Sequence, residues 1–124
     1  MKTKKIVLAS DHAGFKLKEI VKKYLIKKRK NILDLGTKNN ISVDYPDIAH
    51  LFAKNIKKSN KNTGILICGS GIGMSIVANR HKNVRAALCY NKKTAVLSRK
   101  HNNANVIVFV SRLTKKNVAL KCID

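Results

Sequence analysis

A thiol, a hydroxyl and three glycines stand together at positions 68–73, within one short stretch of this chain. The stretch runs Gly64-Ile-Leu-Ile-Cys-Gly-Ser-Gly-Ile-Gly-Met-Ser75. An apolar run leading into Cys68 and Ser70 predicts a strand, a tight turn and the start of a helix, at which Gly69, Gly71 and Gly73 direct backbone N–H groups toward one point. The first N–H groups of a helix lack internal partners and lie at the positive end of its dipole. That point therefore favours an anion.

Two known glycine motifs do not fit this stretch. The pattern is Gly-x-Gly-x-Gly, whereas dinucleotide sites have Gly-x-Gly-x-x-Gly, and no Asp or Glu occurs between residues 48 and 123 to bind a ribose. The Gly-Lys-Ser/Thr end of a nucleotide P-loop is also absent. A cradle for an anion or a developing oxyanion remains, with close backbone packing of the glycines as the alternative.

Cys68 has two interpretations. It is either a small buried apolar residue at the end of a strand, or a thiol whose pKa the neighbouring helix start lowers, which makes it a usable base or nucleophile. Cys89 and Cys122 lack such surroundings and are expected to be structural. Because the three cysteines fit neither a disulfide framework nor metal-ligand spacing, we expect reduced thiols and no metal.

Further polar residues follow two other apolar runs. Asp11 follows the run 5–10, and it either caps a helix or serves as an acid–base or hydroxyl-binding group. Arg112 follows the run 105–110 and contacts either solvent or a phosphate.

The four histidines divide into two pairs. His12 and His101 stand at predicted strand or helix ends, where side chains reach a ligand site. His50 and His81 are expected on helix surfaces.

Five apolar runs alternate with helical patterns along the whole chain. The predicted strands are 5–10, 31–35, 65–67, 85–89 and 105–110, and the predicted helices begin at Phe15, at Pro46, after the glycine turn, at Asn91 and after Thr114. This alternation predicts an α/β fold with a five-stranded parallel sheet covered on both faces. In such sheets ligands bind beyond the carboxyl ends of the strands, where the strand order reverses.

Two of the predicted helices have an apolar stripe, and a third has apolar residues available for the core. The first helix is predicted to place Leu17, Ile20, Val21, Tyr24 and Leu25 on its apolar face and to turn its lysines toward solvent. The core residues expected from the other two are Ile48, Leu51, Phe52 and Ile56 in the second helix, and Ala95, Val96 and Leu97 in the fourth.

Composition limits the class of protein. With 124 residues and 44% hydrophobic content, the chain is expected to form a single domain over 1–124. The absence of a membrane-length apolar run or an apolar leader predicts a cytoplasmic protein. The net charge of +21 by itself suggests nucleic-acid binding. The sequence does not favour that function, because the lysines are spread over many segments and aromatic residues, which could stack on bases, make up only 5%. The charge is expected to attract anionic metabolites.

Several motifs together resemble one enzyme family. They are Ala9-Ser-Asp-His-Ala-Gly-Phe15, Asp44-Tyr-Pro46, the stretch 64–79, Ser98-Arg-Lys-His-Asn102, Asn105 and Ser111-Arg112. In this order and spacing they resemble the type B ribose-5-phosphate isomerases, whose wider family includes galactose-6-phosphate isomerase subunits. The resemblance implies a Rossmann-like three-layer α/β/α sandwich. It also implies a homodimer or tetramer with shared active sites, no cofactor, and a phosphorylated sugar of the pentose phosphate pathway as substrate.

The resemblance also implies roles for individual residues. Cys68 is the base that moves a proton between C1 and C2 through an enediolate, while Ser70 and the N–H groups of Gly69 to Gly73 stabilise the enediolate oxygen. The other implied roles are ring opening by His101, hydroxyl proton transfer by Asp11, phosphate binding by His12 and Arg112, and sugar-hydroxyl binding by Asn102.

The sequence departs from the family at two points. Ser70 stands where many members have threonine, which keeps the hydroxyl, and the family usually continues past position 124 with a helix and tail that carry phosphate-binding arginines. Lys115 and Lys116 are candidate replacements. The alternatives are a galactose-6-phosphate isomerase subunit, or a catalytically inactive protein that binds anions or nucleic acid.

Overall fold

Five strands alternate with five helices in the part of the chain that the structure describes. The computed structural model describes residues 5–36, 45–57, 62–69, 72–82, 84–89, 91–111 and 116–123. The strands are β1 Ile6–Ser10, β2 Ile32–Asp34, β3 Thr63–Cys68, β4 Ala86–Leu88 and β5 Val106–Val110. The helices are α1 Phe15–Lys27, α2 Tyr45–Lys57, α3 Ile72–Asn79, α4 Lys92–Asn102 and α5 Lys116–Ile123.

All strand pairs are parallel, and the sheet order is β2-β1-β3-β5-β4. The chain leaves β1 toward one edge of the sheet and leaves β3 toward the other. The order therefore reverses between β1 and β3, which pair from Ile6–Thr63 to Ser10–Ile67. The predicted α/β fold is confirmed, and the place where such sheets bind ligands lies between these two strands.

Each face of the sheet has its own apolar core. On one face α2 and α3 bury Ala49, Phe52, Met74 and Val77 against alternate strand residues. On the other face α1 and α5 bury Leu17, Val21, Leu25 and Ala119, and α4 packs beside α5. The three layers follow from strands that are apolar on both sides.

Four residues that were predicted on apolar faces or in the core are exposed instead. Ile20, Leu51, Val96 and Leu97 are 36%, 44%, 39% and 40% exposed. Of the three residues expected from α4, Ala95 is the buried one, and each further residue rotates by about 100° around the helix, so Val96 and Leu97 turn away. Leu51 likewise precedes the buried Phe52 by one such rotation.

One lysine of α1 is fully buried, contrary to the expectation that this helix turns its lysines to solvent. Lys18 donates to both carboxylate oxygens of Asp34, at 3.0 and 2.8 Å, and Lys22 donates to one of them at 3.0 Å. Burial alone would raise the pKa of Asp34, but hydrogen bonds from Lys18, the Gly36 amide and Lys22 outweigh it and hold this pKa below its ordinary value. The ion pair anchors α1 to the end of β2.

This anchor reaches β1 through one glycine. The Gly36 amide donates to Asp34 at 2.9 Å, and the Gly36 carbonyl accepts from the Ser10 amide at 2.8 Å. Gly36 has a φ of 110°, which residues with a side chain rarely adopt. The carboxyl ends of β1 and β2 are therefore held together next to Asp11.

We expect Asp34→Asn to lower the free energy of unfolding by about 3–5 kcal/mol, because it removes the carboxylate that accepts hydrogen bonds from the buried Lys18 ammonium. Denaturant unfolding at pH 7 measures this. Glu19→Gln is the matched control: Glu19 lies 3.7 Å from Lys18 and its side chain is 37% exposed, so a change of at most about 1 kcal/mol is expected. Equal losses of stability from the two substitutions would contradict the conclusion that the Lys18–Asp34 ion pair anchors α1.

The difference in the free energy of unfolding between wild type and Asp34→Asn is also expected to depend on pH. Because the pKa of Asp34 is lower in the folded state, its contribution is complete above the unfolded-state pKa of about 3.9 and is lost as the pH falls through the folded-state pKa. The free energies of unfolding of the two proteins, plotted against pH, should therefore converge in acid, below about pH 4.

Candidate active site

Asp11 and Cys68 lie at the carboxyl ends of the two strands between which the sheet order reverses. Cys68 is the last residue of β3 and is 3% exposed. Asp11 directly follows β1, and its amide donates to the carbonyl of Ile67 at 3.2 Å. The backbone therefore brings the carboxylate and the thiol of two distant sequence motifs to one edge.

The Asp11 carboxylate connects the turn after β1 with the turn after β3. One oxygen accepts from the Gly14 amide at 2.9 Å, and the other accepts from the Gly69 amide at 3.4 Å. The N-cap of α1 is Gly14, which makes no side-chain cap. The helix-cap alternative for Asp11 is therefore wrong, since this carboxylate binds a turn and the start of the glycine loop.

The turn after β1 fits only because residue 14 has no side chain. A Cβ at Gly14 would lie 2.5 Å from the Ile67 carbonyl oxygen and 2.8 Å from the Ile67 Cγ2 atom. A third strand joins the arrangement: the Ser111 amide donates to the Cys68 carbonyl at 2.8 Å, and the Ser111 hydroxyl donates to the Ala13 carbonyl at 3.0 Å. The ends of β1, β3 and β5 are therefore fixed relative to one another.

Two buried polar atoms next to Asp11 have no hydrogen-bond partner. They are Nδ1 of His12 and Oγ of Ser10. Buried polar groups in folded proteins are almost always paired, so such atoms at the end of a strand are candidates for binding a ligand. The sequence pattern predicted His12 as a site residue and did not predict Ser10.

The other two cysteines differ from Cys68 in their surroundings. Burial raises the pKa of the Cys89 thiol, and hydrogen bonds from Ser98 and Thr94 only partly oppose it. Burial and the nearby Cys89 raise the pKa of Cys122. Both thiols therefore stay protonated at neutral pH. Cys68 also lies in an apolar core cluster, and it is the cysteine next to Gly69, whose amide donates to the Asp11 carboxylate.

The glycine turn is described only in part. Gly69 is buried and follows Cys68, and Gly73 is the second residue of α3, where a helix has unpaired N–H groups. Ser70, Gly71 and Arg112 lie outside the described residues, and their roles stay predictions.

The backbone of α4 ends far from this edge. Asn102 is its last residue, and Asn105 accepts from the Gly64 amide at 3.0 Å, at the start of β3. The six residues of β3 span roughly 16 Å, at about 3.3 Å per residue. Asn102 and the backbone of His101 therefore lie at the amino edge of the sheet, opposite Cys68. The structure describes the backbone of His101 but not its side chain.

Neither a metal cluster nor a membrane helix is found in the described ranges. His, Cys, Asp and Glu form no group of three or more there that could hold a metal ion. No helix of these ranges combines the length and apolar content that crossing a membrane requires.

One close pair of side chains was not predicted from the sequence. His50 of α2 and His81, which follows α3, were expected on helix surfaces, but their ring nitrogens Nδ1 and Nε2 lie 2.7 Å apart. No local pattern indicates this contact, because 31 positions separate the two residues.

Comparison with known proteins assigns this arrangement to a family. The Ribose/Galactose Isomerase family model matches residues 6–124. The chain belongs to the ribose/galactose isomerase family. The match covers both strand ends described above, so the β1 turn and the glycine turn are parts of the family domain.

Solved relatives share the fold over nearly all of this chain. A ribose 5-phosphate isomerase from Thermotoga maritima has a TM-score of 0.94 and 47% sequence identity, over 99% of this chain and 85% of that one. Ribose-5-phosphate isomerase B from Mycoplasma genitalium, with bound ribulose 5-phosphate, has a TM-score of 0.91 and 44% identity, over 97% of this chain and 80% of that one. Ribose-5-phosphate isomerase B from Escherichia coli is 38% identical over 121 residues, 98% of this chain and 81% of its own length.

We expect Gly14→Ala to disrupt the site, because the added Cβ collides with backbone that cannot yield like a side chain. The expected loss of stability is about 1–3 kcal/mol, typical of overpacking, and isomerase activity should fall at least about tenfold. Thermal unfolding and a coupled activity assay measure both. The control is Lys16→Ala, an exposed position in the same helix that should change neither. A stable, fully active Gly14→Ala protein would contradict this packing argument.

Proposed function

We propose that this protein interconverts ribose 5-phosphate and ribulose 5-phosphate, as an aldose–ketose isomerase that needs no cofactor. The observation that carries the proposal is the Asp11 carboxylate held between two amides beside Cys68, at the strand ends where the sheet order reverses. It is supported by relatives at 38–47% identity that are named ribose-5-phosphate isomerases. The relative from Mycoplasma genitalium was solved with ribulose 5-phosphate bound.

Isomerisation requires a base at carbon and a stabiliser for the oxygen that becomes negative. We assign the base to Cys68, which removes a proton from C2 of the aldose and returns one to C1 of the enediolate. A positioned base contributes roughly 10²–10⁴-fold to such a step. N–H groups at the start of α3, with the Ser70 hydroxyl, are assigned to the enediolate oxygen, where fixed donors stabilise the transition state more than the ground state.

Asp11 is assigned to the hydroxyl protons of the sugar. Proton transfer between the oxygens at C1 and C2 must accompany transfer at carbon. A carboxylate fixed by Gly14 and Gly69 requires no reorganisation when the substrate binds. The unpaired Nδ1 of His12, together with Arg112, is assigned to the phosphate.

Ribose rather than galactose 6-phosphate is the substrate that the relatives favour. The family description includes both sugars, whereas the matched relatives from Thermotoga, Mycoplasma and Escherichia coli are named for ribose 5-phosphate. Because phosphorylated pentoses are intermediates of central metabolism, we expect the protein in the cytoplasm.

The site is proposed to be completed by a second copy of the chain. His101 and Asn102 belong to the end of α4 at the amino edge, roughly 16 Å along β3 from Cys68, a distance that no side chain spans. If both take part in the reaction, they must come from another subunit, as in a two-fold symmetric dimer. The exposed Leu51 of α2 and Ile76 of α3 offer apolar surface for such a contact.

The proposal is tested by proton NMR of ribose 5-phosphate in deuterated buffer, with wild type, Cys68→Ala and Cys89→Ala. Wild type should form ribulose 5-phosphate and place deuterium at C2 of the remaining ribose 5-phosphate. Cys68→Ala should slow both processes by roughly 10²–10⁴-fold, because it removes the base.

Cys89→Ala is the matched control, since it removes another buried strand-end thiol whose pKa is raised. It should retain wild-type turnover. Wild-type rates from Cys68→Ala would exclude Cys68 as the base, and the absence of product with every folded protein would contradict the isomerase itself.

A further inference from the structure

Two histidines outside the proposed active site form a close pair on the surface. Nδ1 of His50 and Nε2 of His81 are 2.7 Å apart, with the ring centroids 5.0 Å apart and the ring planes at 66°. His50 belongs to α2, and His81 follows the last turn of α3. Two of the chain's four histidines thus converge from separate elements.

We propose that His50 and His81 chelate one divalent transition-metal ion of the zinc and copper class. These ions take imidazole nitrogens at about 2.0–2.1 Å, so a tetrahedral ion would hold its two nitrogens roughly 3.3 Å apart. Opening the observed pair by roughly 0.6 Å is a small rotation for the exposed His50 and the half-buried His81 side chains. Water or an anion fills the remaining positions, since the pair faces solvent.

The electrostatic surroundings of His81 suit a metal ligand. Burial lowers the pKa of His81 below its ordinary value, and the charges of His50, Lys57 and Lys54 lower it further. A neutral His81 ring carries one proton, and with that proton on Nδ1 the facing Nε2 has the lone pair that a metal ion requires.

The backbone around His81 is already fixed. Its amide donates to the Ala78 carbonyl at 3.1 Å, and its carbonyl accepts from the Val84 amide at 3.2 Å. Asn79 also exchanges two hydrogen bonds with the backbone of Ala86, at 2.8 and 3.0 Å. A ligand on a rigid turn loses little conformational entropy on binding.

Opposing electrostatic effects act on a cation at this place. Lys54 and Lys57 repel it, whereas the carbonyl groups at the end of α3 are the negative end of the helix dipole and attract it. Removing either lysine charge should therefore strengthen binding, while removing either imidazole should weaken it. These opposite signs distinguish chelation from nonspecific attraction or repulsion by the charged surface.

The test is calorimetric titration of the reduced protein with ZnCl₂ at pH 7.5 in a non-coordinating buffer. Wild type should bind one zinc ion per chain at this pair, and His50→Gln and His81→Gln should each weaken that binding by at least about tenfold, through loss of one of two protein ligands. Lys57→Gln, which leaves both rings in place, should bind at least as tightly as wild type.

Imidazole nitrogen NMR of the zinc-loaded protein identifies the atoms. The expected shifts are at Nδ1 of His50 and Nε2 of His81. Unchanged affinity in both histidine variants, or shifts confined to His12 and His101, would overturn the proposal. Circular dichroism of each variant establishes that it is folded before titration. The result does not depend on isomerase activity, so the two proposals succeed or fail separately.

Discussion

The arrangement of this protein depends on the close contact between the turn at residues 11–14 and the end of β3. Gly14 lies so near the Ile67 carbonyl that even a methyl group would collide with it. This closeness lets the Asp11 carboxylate accept from both the Gly14 and the Gly69 amides. Because parallel strands end at the same edge, one short contact suffices to join an acid, a thiol and the glycine turn.

The elements around this contact hold it in place from several directions. Ser111 ties β5 to both turns, and the Lys18–Asp34 pair fixes β2 and, through Gly36, the end of β1. A buried ion pair adds little stability compared with apolar packing, but it fixes the position of its partners because a mispaired charge is costly. Rigid strand ends of this kind suit a reaction that depends on preorganised groups.

Much of this organisation could be predicted from the sequence, because strands and helices leave local patterns. The alternation of elements and the placement of Asp11 and Cys68 at strand ends are confirmed by the structure. The burial of Lys18 and the contact of His50 with His81 could not be predicted, since both depend on residues distant in the sequence. Val96 and Leu97 were expected to be available for the core, but both are exposed, and of these three neighbours Ala95 is the one that α4 turns inward.

The position of α4 determines which chain can supply His101 and Asn102 to the proposed active site. A helix that follows a parallel strand returns to the opposite edge of the sheet, so His101 and Asn102 lie away from the thiol of their own chain. The proposed active site therefore consists of Asp11 and Cys68 from one subunit with His101 and Asn102 from another.

Mixing two inactive variants, Cys68→Ala and His101→Ala, tests this claim most directly. Each hybrid dimer would contain one site with both defects and one intact site, so random subunit exchange should restore about one quarter of wild-type activity. An exchanged mixture that stays inactive would contradict a site shared between two chains.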